Sequence, residues 1–190
     1  MPVKTLAAAA SVFLATISNT QPPQESSILD SLVPQQVVQQ PCPSECQIND
    51  ALLNLVSHLE GYRAFRYKDS AGLYTIGIGH LIKPGESFRE PLLPAEATNL
   101  LKHDLAIAAK TVNTEAKRPL KQNQFNALVS FSYNVGSGKL KKSTLLRKVN
   151  AKQDPQVPAQ FMKWVYAGDE EVEGLVLRRQ VEARLYASAK

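Results

Sequence analysis

The feature that most constrains the fold is a helix that ends at a glycine and runs directly into a β-hairpin. Glycine commonly follows the last residue of a helix, so the helix before Gly61 is predicted to end at Glu60. Two short β-branched and aromatic runs follow at 65–67 and 74–78, around a turn-forming sequence at 69–72, which is typical of a hairpin. The helix is indicated by apolar residues at helical spacing, with a capping side chain at Asn49 or Asp50: Ile48, Leu52, Leu55 and Leu59.

This helix and hairpin bring three polar side chains close together. Glu60 is predicted to be the last helical residue, Asp69 opens the turn, and Thr75 lies in the returning strand. The C-terminal end of a helix carries partial negative charge, which disfavours an ionised carboxylate and favours a Glu that keeps its proton, as a general acid must. Each of the three residues taken alone is more often structural: a solvated helix end, a turn residue and a strand residue.

The spacing of the three residues resembles that of the phage lysozymes and endolysins of glycoside hydrolase family 24, the T-even phage lysozyme family. In that family a Glu ends the first helix, and an Asp and then a Thr follow at the distances seen here for Asp69 and Thr75, with Gly-Ile-Gly-His-Leu at 77–81. The resemblance implies that Glu60 is the catalytic acid. It implies that Asp69 activates water or stabilises the positive sugar ring, and that Thr75 holds the attacking water.

Two motifs later in the chain resemble the same family and occur in the same order. The run 164–168 is similar to its Trp-x-Tyr-Ala-Gly, and 174–182 matches Gly-Leu-x-x-Arg-Arg-x-x-Glu, so the resemblance covers roughly residues 48–187. It implies an α+β, mostly α, lysozyme-like fold with two lobes. A small hairpin lobe at 48–93 would carry the catalytic residues, a larger helical lobe would occupy 94–190, and His80 would pair with Asp104 between them.

The substrate implied by the resemblance is peptidoglycan, cut at the β-1,4 bond between N-acetylmuramic acid and N-acetylglucosamine. Gly79, which lacks a Cβ and so allows close approach of a sugar, and Leu81 are implied to line the cleft. Tyr133 stands where the family places an aromatic residue at the cleft, with core packing as the alternative. No metal or organic cofactor is implied, and a monomer is expected.

Three other functions remain open from the residues themselves. The chain could cleave chitin, act as a lytic transglycosylase, which typically needs only the catalytic Glu, or bind the cell wall without activity. Asp69 and Thr75 argue against the last two functions.

The charge of the chain is unevenly distributed. The formal net charge is +5, of which residues 1–47 contribute −2 and residues 48–190 contribute +7. A basic body favours polyanionic partners; nucleic acid and an anionic bacterial envelope both qualify, and the family resemblance favours the envelope and no nucleic acid. Basic side chains crowd one region, as a solvated face or an envelope-binding patch: Lys139, Lys141, Lys142, Arg147 and Lys148.

The first 18 residues have the layout of a signal peptide. Lys4 precedes an Ala-rich apolar run from Leu6 to Ile17, which is shorter than the roughly 20 residues that span a bilayer. This run also resembles the signal-arrest-release segments of some endolysins, which are exported uncleaved and later leave the membrane. The prediction is therefore export to the periplasm or the medium, with transient association of residues 5–18 with the inner membrane.

A Pro- and Gln-rich linker is predicted at 19–47, followed by the lysozyme domain at 48–190. The linker contains Cys42 and Cys46, which could form a small-loop disulfide, pair between chains or stay reduced. An exported chain favours the disulfide.

Overall fold

The computed structural model describes residues 41–69 and 72–188. The predicted leader at 1–18 and the linker up to residue 40 lie outside the described residues. Within the described part of the chain, no helix combines the length and apolarity needed to cross a membrane.

The small lobe contains one helix and a three-stranded antiparallel sheet. Helix α1 spans Asp50–Glu60; the Asn49 side chain accepts the Leu52 N–H at its start, and Gly61 follows its end at φ 72°. Strands β1 (Arg63–Lys68), β2 (Tyr74–Gly77) and β3 (His80–Leu81) pair in that order. The predicted helix end and hairpin are confirmed. The third strand has only two residues, too few to produce a recognisable sequence pattern.

The helical lobe is built around one buried helix, α3 (Gln122–Val135), in which every residue from Asn123 onward is buried. It packs against α1 and against two longer helices, α2 (Pro94–Glu115) and α7 (Glu173–Ala187). The remaining elements are α4 (Ser137–Lys142), α5 (Thr144–Asn150), a 3-10 turn (Asp154–Gln156), α6 (Val157–Phe161), β4 (Tyr166–Ala167) and β5 (Glu170–Glu171).

Aromatic rings fill the centre of the helical lobe. The Phe131 ring lies 5.4 Å from the Phe161 ring and 5.3 Å from the Trp164 ring, centre to centre, both in edge-to-face arrangements. This geometry adds a favourable quadrupole interaction to the burial of apolar surface. It joins α3 to α6 and to the Trp-x-Tyr-Ala-Gly motif.

The chain enters the helical lobe through a disulfide-closed loop. Cys42 and Cys46 form a disulfide, the pairing that the sequence favoured. The Cys42 N–H donates to the Leu120 carbonyl at 3.0 Å, and Pro41 forms a β-bridge with Lys121. Residues 41–46 of the predicted linker therefore pack against the start of α3.

His80 joins the sheet to the long helix α2. His80 is 2% exposed, and its ring contacts two carboxylates: Nδ1 lies 2.8 Å from Asp104 on α2, and Nε2 lies 3.1 Å from Glu86 in the loop after β3. The hydrogen bond to Asp104 raises the pKa of His80, against the lowering effect of burial, and Glu86 raises it further. The Asp104 contact matches the pairing implied by the family, whereas the Glu86 contact was not predicted.

Replacing Asp104 with Asn should destabilise the protein in a pH-dependent way. Because the pKa of His80 is raised in the folded state, its contribution to stability is complete below the unfolded value of about 6.5 and is lost as pH rises through the folded value. The free energy of unfolding, measured in urea, should therefore fall more at about pH 5 than at about pH 9. Glu171→Gln, an exposed change in β5, serves as the control. An equal loss at both pH values for Asp104→Asn would show that the charge on His80 is not involved.

Candidate active site

Glu60 is held at the end of α1 by a buried arginine from the other end of the chain. Its side chain is 13% exposed, and its Oε1 accepts a hydrogen bond from Arg178 Nη1 at 2.7 Å. Arg178 lies on α7 and is fully buried. This contact fixes the direction of a side chain that a helix end alone would leave free to rotate.

Arg178 is in turn held by groups on α3 and α7. Its Nε donates to Glu182 at 3.2 Å, and its Nη2 donates to the Ser130 carbonyl at 3.4 Å. Ser130 Oγ donates to the same Glu182 carboxylate at 2.7 Å. Burial lowers the pKa of Arg178, but the Glu60 and Glu182 carboxylates more than offset this, so that its pKa lies above the ordinary value. The guanidinium is therefore permanently charged.

A second arginine belongs to this cluster. Arg179 Nη1 lies 3.0 Å from Glu182, an ion pair without hydrogen-bond geometry, and Arg179 Nη2 donates to Asn134. Burial lowers the pKa of Arg179 to about 10, which still leaves it protonated at neutral pH. We call Glu60, Arg178, Arg179 and Glu182 the ion cluster.

The ion cluster adds a positive charge beside Glu60 that the local sequence did not predict. The helix end disfavours a negative charge there, whereas the Arg178 guanidinium attracts one. The two influences oppose each other, and local sequence identified only the first. The Arg-Arg-x-x-Glu run at 178–182 is the sequence signal for the attraction by Arg178. Arginine and glutamate side chains in a helix are rarely buried unless they are paired, so a buried run of this kind needs a carboxylate from elsewhere in the chain.

Gly79 allows the main chain to lie directly against the Glu60 carboxylate. Its φ is +71°, and a Cβ at this position would lie 3.0 Å from Glu60 Oε2 and 3.3 Å from Tyr133 Oη. Tyr133 is 7% exposed, and its hydroxyl donates to the Ile78 carbonyl at 3.2 Å. Burial, and then the charge of Glu60, raise its pKa well above the ordinary value. A neutral phenol and a bare glycine thus surround the carboxylate.

Asp69 and Thr75 lie on the hairpin as predicted. Asp69 closes the turn, since its Oδ1 accepts the Leu73 N–H and its own N–H donates to the Leu73 carbonyl, both at 2.9 Å. Thr75 is 4% exposed and donates to the same carbonyl at 3.3 Å. In the sheet Thr75 pairs directly with Leu81, and directly paired residues point to the same face. Leu81 and Thr75 therefore belong to one surface.

Tyr67 belongs to that surface too and was not singled out from the sequence. It pairs with Thr75 from β1, and the Arg63 guanidinium lies 4.4 Å from its ring centre. Burial raises its pKa; Glu60 raises it further, Arg63 opposes this, and Asp69 adds to the rise. Tyr67 is thus within electrostatic reach of both carboxylates. The only sequence signal for Tyr67 was its position between two charged residues in β1, which indicates that its side chain points to the opposite face from theirs.

The structure places Glu60, largely buried beside a cation, at the end of α1, and Asp69 on the hairpin that follows. A pair of carboxyl groups is what glycoside hydrolysis requires. In the described ranges, no three His, Cys, Asp or Glu side chains are grouped so as to hold a metal.

Comparison with known proteins identifies the family. The model of the phage lysozyme family matches residues 57–182, and the chain belongs to this family. It is 40% identical over 127 residues to the SAR-endolysin of Bacteriophage PS119, a match that covers 65% of this chain and 74% of that protein. The resemblance inferred from the sequence is confirmed.

Two solved structures share the fold. The muramidase domain of SpmX from Asticaccaulis excentricus is 29% identical with a TM-score of 0.69, covering 75% of this chain and 98% of that one. The endolysin from Escherichia coli O157:H7 phage FAHEc1 is 28% identical with a TM-score of 0.70, covering 80% and 98%. The predicted α+β, mostly α, lysozyme-like fold is confirmed.

Replacing Gly79 with Ala should reduce activity more than it reduces stability. The added methyl group would meet the Glu60 carboxylate, which is the movable end of a side chain, and would push it away from its position against Arg178. Misplacement of a catalytic group by about 1 Å can cost roughly 100-fold in rate. The measurement is the lysis rate of outer-membrane-permeabilised bacteria, with circular dichroism to verify folding.

Gly85→Ala is a matched control for this change. Gly85 also has a positive φ, +88°, but nothing lies within 4 Å of the position of its Cβ. Both variants share the backbone strain of an L residue at positive φ, and only Gly79→Ala adds the contact with Glu60. Equal activity of the two variants would show that the contact with Glu60 does not matter.

Proposed function

We propose that this chain is a lysozyme that hydrolyses the β-1,4 bond between N-acetylmuramic acid and N-acetylglucosamine in peptidoglycan. The observation that carries the proposal is Glu60, a carboxyl group held by a buried arginine against a glycine, in the same small lobe as Asp69 and Thr75. The family of the chain and the muramidase and endolysin relatives support the same reaction. The enzyme is expected to act as a monomer, without cofactor and without nucleic acid.

Glu60 acts as the general acid in this proposal. It transfers a proton to the oxygen of the departing sugar as the glycosidic bond breaks. The carboxylate that remains is then stabilised by Arg178, whose charge is permanent. The cation thus favours the charge that forms on the enzyme during bond cleavage.

Asp69 and Thr75 act on the water in this proposal. Asp69 is held at the hairpin turn by its hydrogen bonds with Leu73, and Thr75 carries a hydroxyl on the sheet face shared with Tyr67 and Leu81. Asp69 accepts the proton of the attacking water or stabilises the positive sugar ring, while Thr75 orients the water. Gly79, Leu81 and Tyr133 remain the predicted substrate contacts, and the small exposed area of Tyr133 limits how much of it a sugar can touch.

Glu60→Gln should remove activity while leaving the fold intact. Glutamine keeps the size of the side chain and can still contact Arg178, but it has no acidic proton, and loss of general acid catalysis typically costs about 10² to 10⁴ in rate. The measurement is the rate of turbidity loss of permeabilised bacteria. Asp50→Asn, at the other end of the same helix, is the control and should leave the rate unchanged. A folded Glu60→Gln variant with nearly full activity would rule out the acid assignment.

The reaction should invert the anomeric centre. An inverting glycosidase leaves space for a water between its two carboxylates, and the Thr75 hydroxyl is available to orient that water. NMR of the first product from a β-linked substrate should therefore show the α anomer, and both Asp69→Asn and Thr75→Ala should be severely slowed. A β anomer as the first product would instead indicate a covalent intermediate.

We also propose that residues 1–18 direct export, so that the enzyme acts outside the cytoplasm. The short Ala-rich apolar run after Lys4 supports this, and relatives named SAR-endolysin support transient tethering of residues 5–18 to the inner membrane before release. The disulfide at Cys42 and Cys46 suits an oxidising compartment.

Expression in bacteria that lack a holin tests export. The full chain should lyse the cells, because the leader carries the enzyme to its substrate, whereas a shortened chain that begins at Pro41 should accumulate in the cytosol without lysis. Cell fractionation locates both. If both chains stay in the cytosol and are harmless, residues 1–18 do not act as an export signal.

A further inference from the structure

The net positive charge of the body is concentrated in one segment. Residues 48–190 contain 21 basic and 14 acidic residues. Nine of the basic residues lie in 116–153, which contains no acidic residue and is flanked by Glu115 and Asp154. Apart from this segment and its two flanking acids, the body has twelve residues of each sign and is neutral.

The fold brings this segment together at one end of the helical lobe. The Lys117 N–H donates to Asn150 Oδ1 at 2.8 Å, and Asn150 Nδ2 donates to the Glu115 carbonyl at 3.0 Å, which joins the end of α2 to the end of α5. Lys141 on α4 lies 3.1 Å from the Glu115 carboxylate. The ends of α2, α4 and α5 therefore form a common surface.

Most of the cations on this surface have no acidic partner. Asp154 pairs with Arg118, and Glu115 pairs with Lys141. Six others form no ion pair with any described residue, and four of them, Lys117, Lys142, Arg147 and Lys152, are exposed while the other two are partly exposed. We call the six the cationic face: Lys117, Lys139, Lys142, Arg147, Lys148 and Lys152.

The centre of the cationic face is remote from the catalytic sheet. Helix α2 has 22 residues and is thus about 33 Å long. Its first turn packs on β2, where a Cβ at Gly77 would lie 3.2 Å from Ala97 Cβ, and its last residue is Glu115. The sheet with Thr75 and the cations around Glu115 therefore lie at opposite ends of one helix.

The N-terminal segment joins the body within the same basic segment. Pro41 bridges to Lys121, and the Cys42 N–H donates to Leu120, with the disulfide to Cys46 closing the loop. The 40 residues before Pro41, which include the apolar run of the leader, are thus attached where the basic segment begins. This step rests on the export proposed for residues 1–18: a leader that associates with a membrane tethers the body from this end, through residues 19–40.

We propose that the cationic face docks on the anionic phospholipid headgroups of a membrane. Several Lys and Arg side chains on one surface are attracted to an anionic leaflet with roughly additive free energies. Attachment of the leader at the same end raises the effective concentration of lipid at the cationic face. The contact is separate from the lysozyme reaction and does not use any residue of the ion cluster.

Binding of the full chain to lipid vesicles tests the proposal. One variant replaces Lys139, Lys142 and Arg147 with Gln, and a matched variant replaces Arg89, Lys102 and Lys163, which are exposed elsewhere on the body, so both lose the same charge. Vesicles of phosphatidylcholine alone and of phosphatidylcholine with phosphatidylglycerol separate the electrostatic part of binding from insertion of the leader. Hydrolysis of purified peptidoglycan verifies that both variants are folded and active.

The wild type and the matched variant should prefer the anionic vesicles, and the cationic-face variant should lose roughly 100-fold of that preference. An unchanged preference in the cationic-face variant would overturn the proposal, and so would an equal loss in both variants, since net charge alone would then explain binding.

Duplex DNA and purified teichoic acid are assayed in parallel. If the cationic-face variant binds these polymers less tightly but keeps its preference for anionic vesicles, the partner is a polymer and the proposal is wrong.

Discussion

The ion pair between Glu60 and Arg178 is the contact on which the site depends. A buried charge without a partner costs several kcal/mol, so the guanidinium must find carboxylates, and it finds Glu60 on α1 and Glu182 on its own helix. Ser130 on α3 contacts both Arg178 and Glu182, which fixes the rotation of α7 about the central helix. Removing the fully buried Glu182 would leave the two arginine charges without their common partner, at a typical cost of about 3 to 5 kcal/mol. The same interactions that hold the lobes together thus fix the direction of the Glu60 side chain.

The small lobe provides the rest of the site, and its sheet is held in place by contacts with the helical lobe. Its sheet is too small to be stable alone, and it is anchored on α2 by His80 and on α3 by the hydroxyl of Tyr133. Gly79 lies between these two anchors and brings the main chain against Glu60. The short strand β3 and the glycine before it therefore connect the stability of the lobe to the position of Glu60.

Local sequence was sufficient for those parts of the site that are made by neighbouring residues. The helix end at Glu60, the hairpin turn at Asp69 and the returning strand at Thr75 follow from a helix-ending glycine, a turn sequence and a β-branched run within residues 60–78, and all three elements are confirmed. The catalytic roles of these residues stay predictions. The fold class and the family also followed from short motifs, such as Gly-Ile-Gly-His-Leu at 77–81 and Arg-Arg-x-x-Glu at 178–182.

Contacts between distant parts of the chain could not be predicted in this way. Arg178 is 118 residues from Glu60, and a pattern of helical spacing shows which residues share a face but not which helix that face meets. Three smaller features were also missed. Tyr67 is an aromatic residue in a strand, which is common, and the Glu86 carboxylate that contacts His80 lies in a loop, where there is no periodicity. Helix α4 has six residues, too few for a helical pattern.

Chemical analysis of the new chain ends in digested peptidoglycan is the most direct measurement of the proposed reaction. Purified peptidoglycan is incubated with the full-length enzyme, the soluble products are reduced with borohydride, and mass spectrometry identifies the terminal sugar. Hydrolysis by Glu60 with a water activated at Asp69 and Thr75 predicts reducing ends of N-acetylmuramic acid. Ends of 1,6-anhydromuramic acid, ends of N-acetylglucosamine, or binding without soluble products would contradict it.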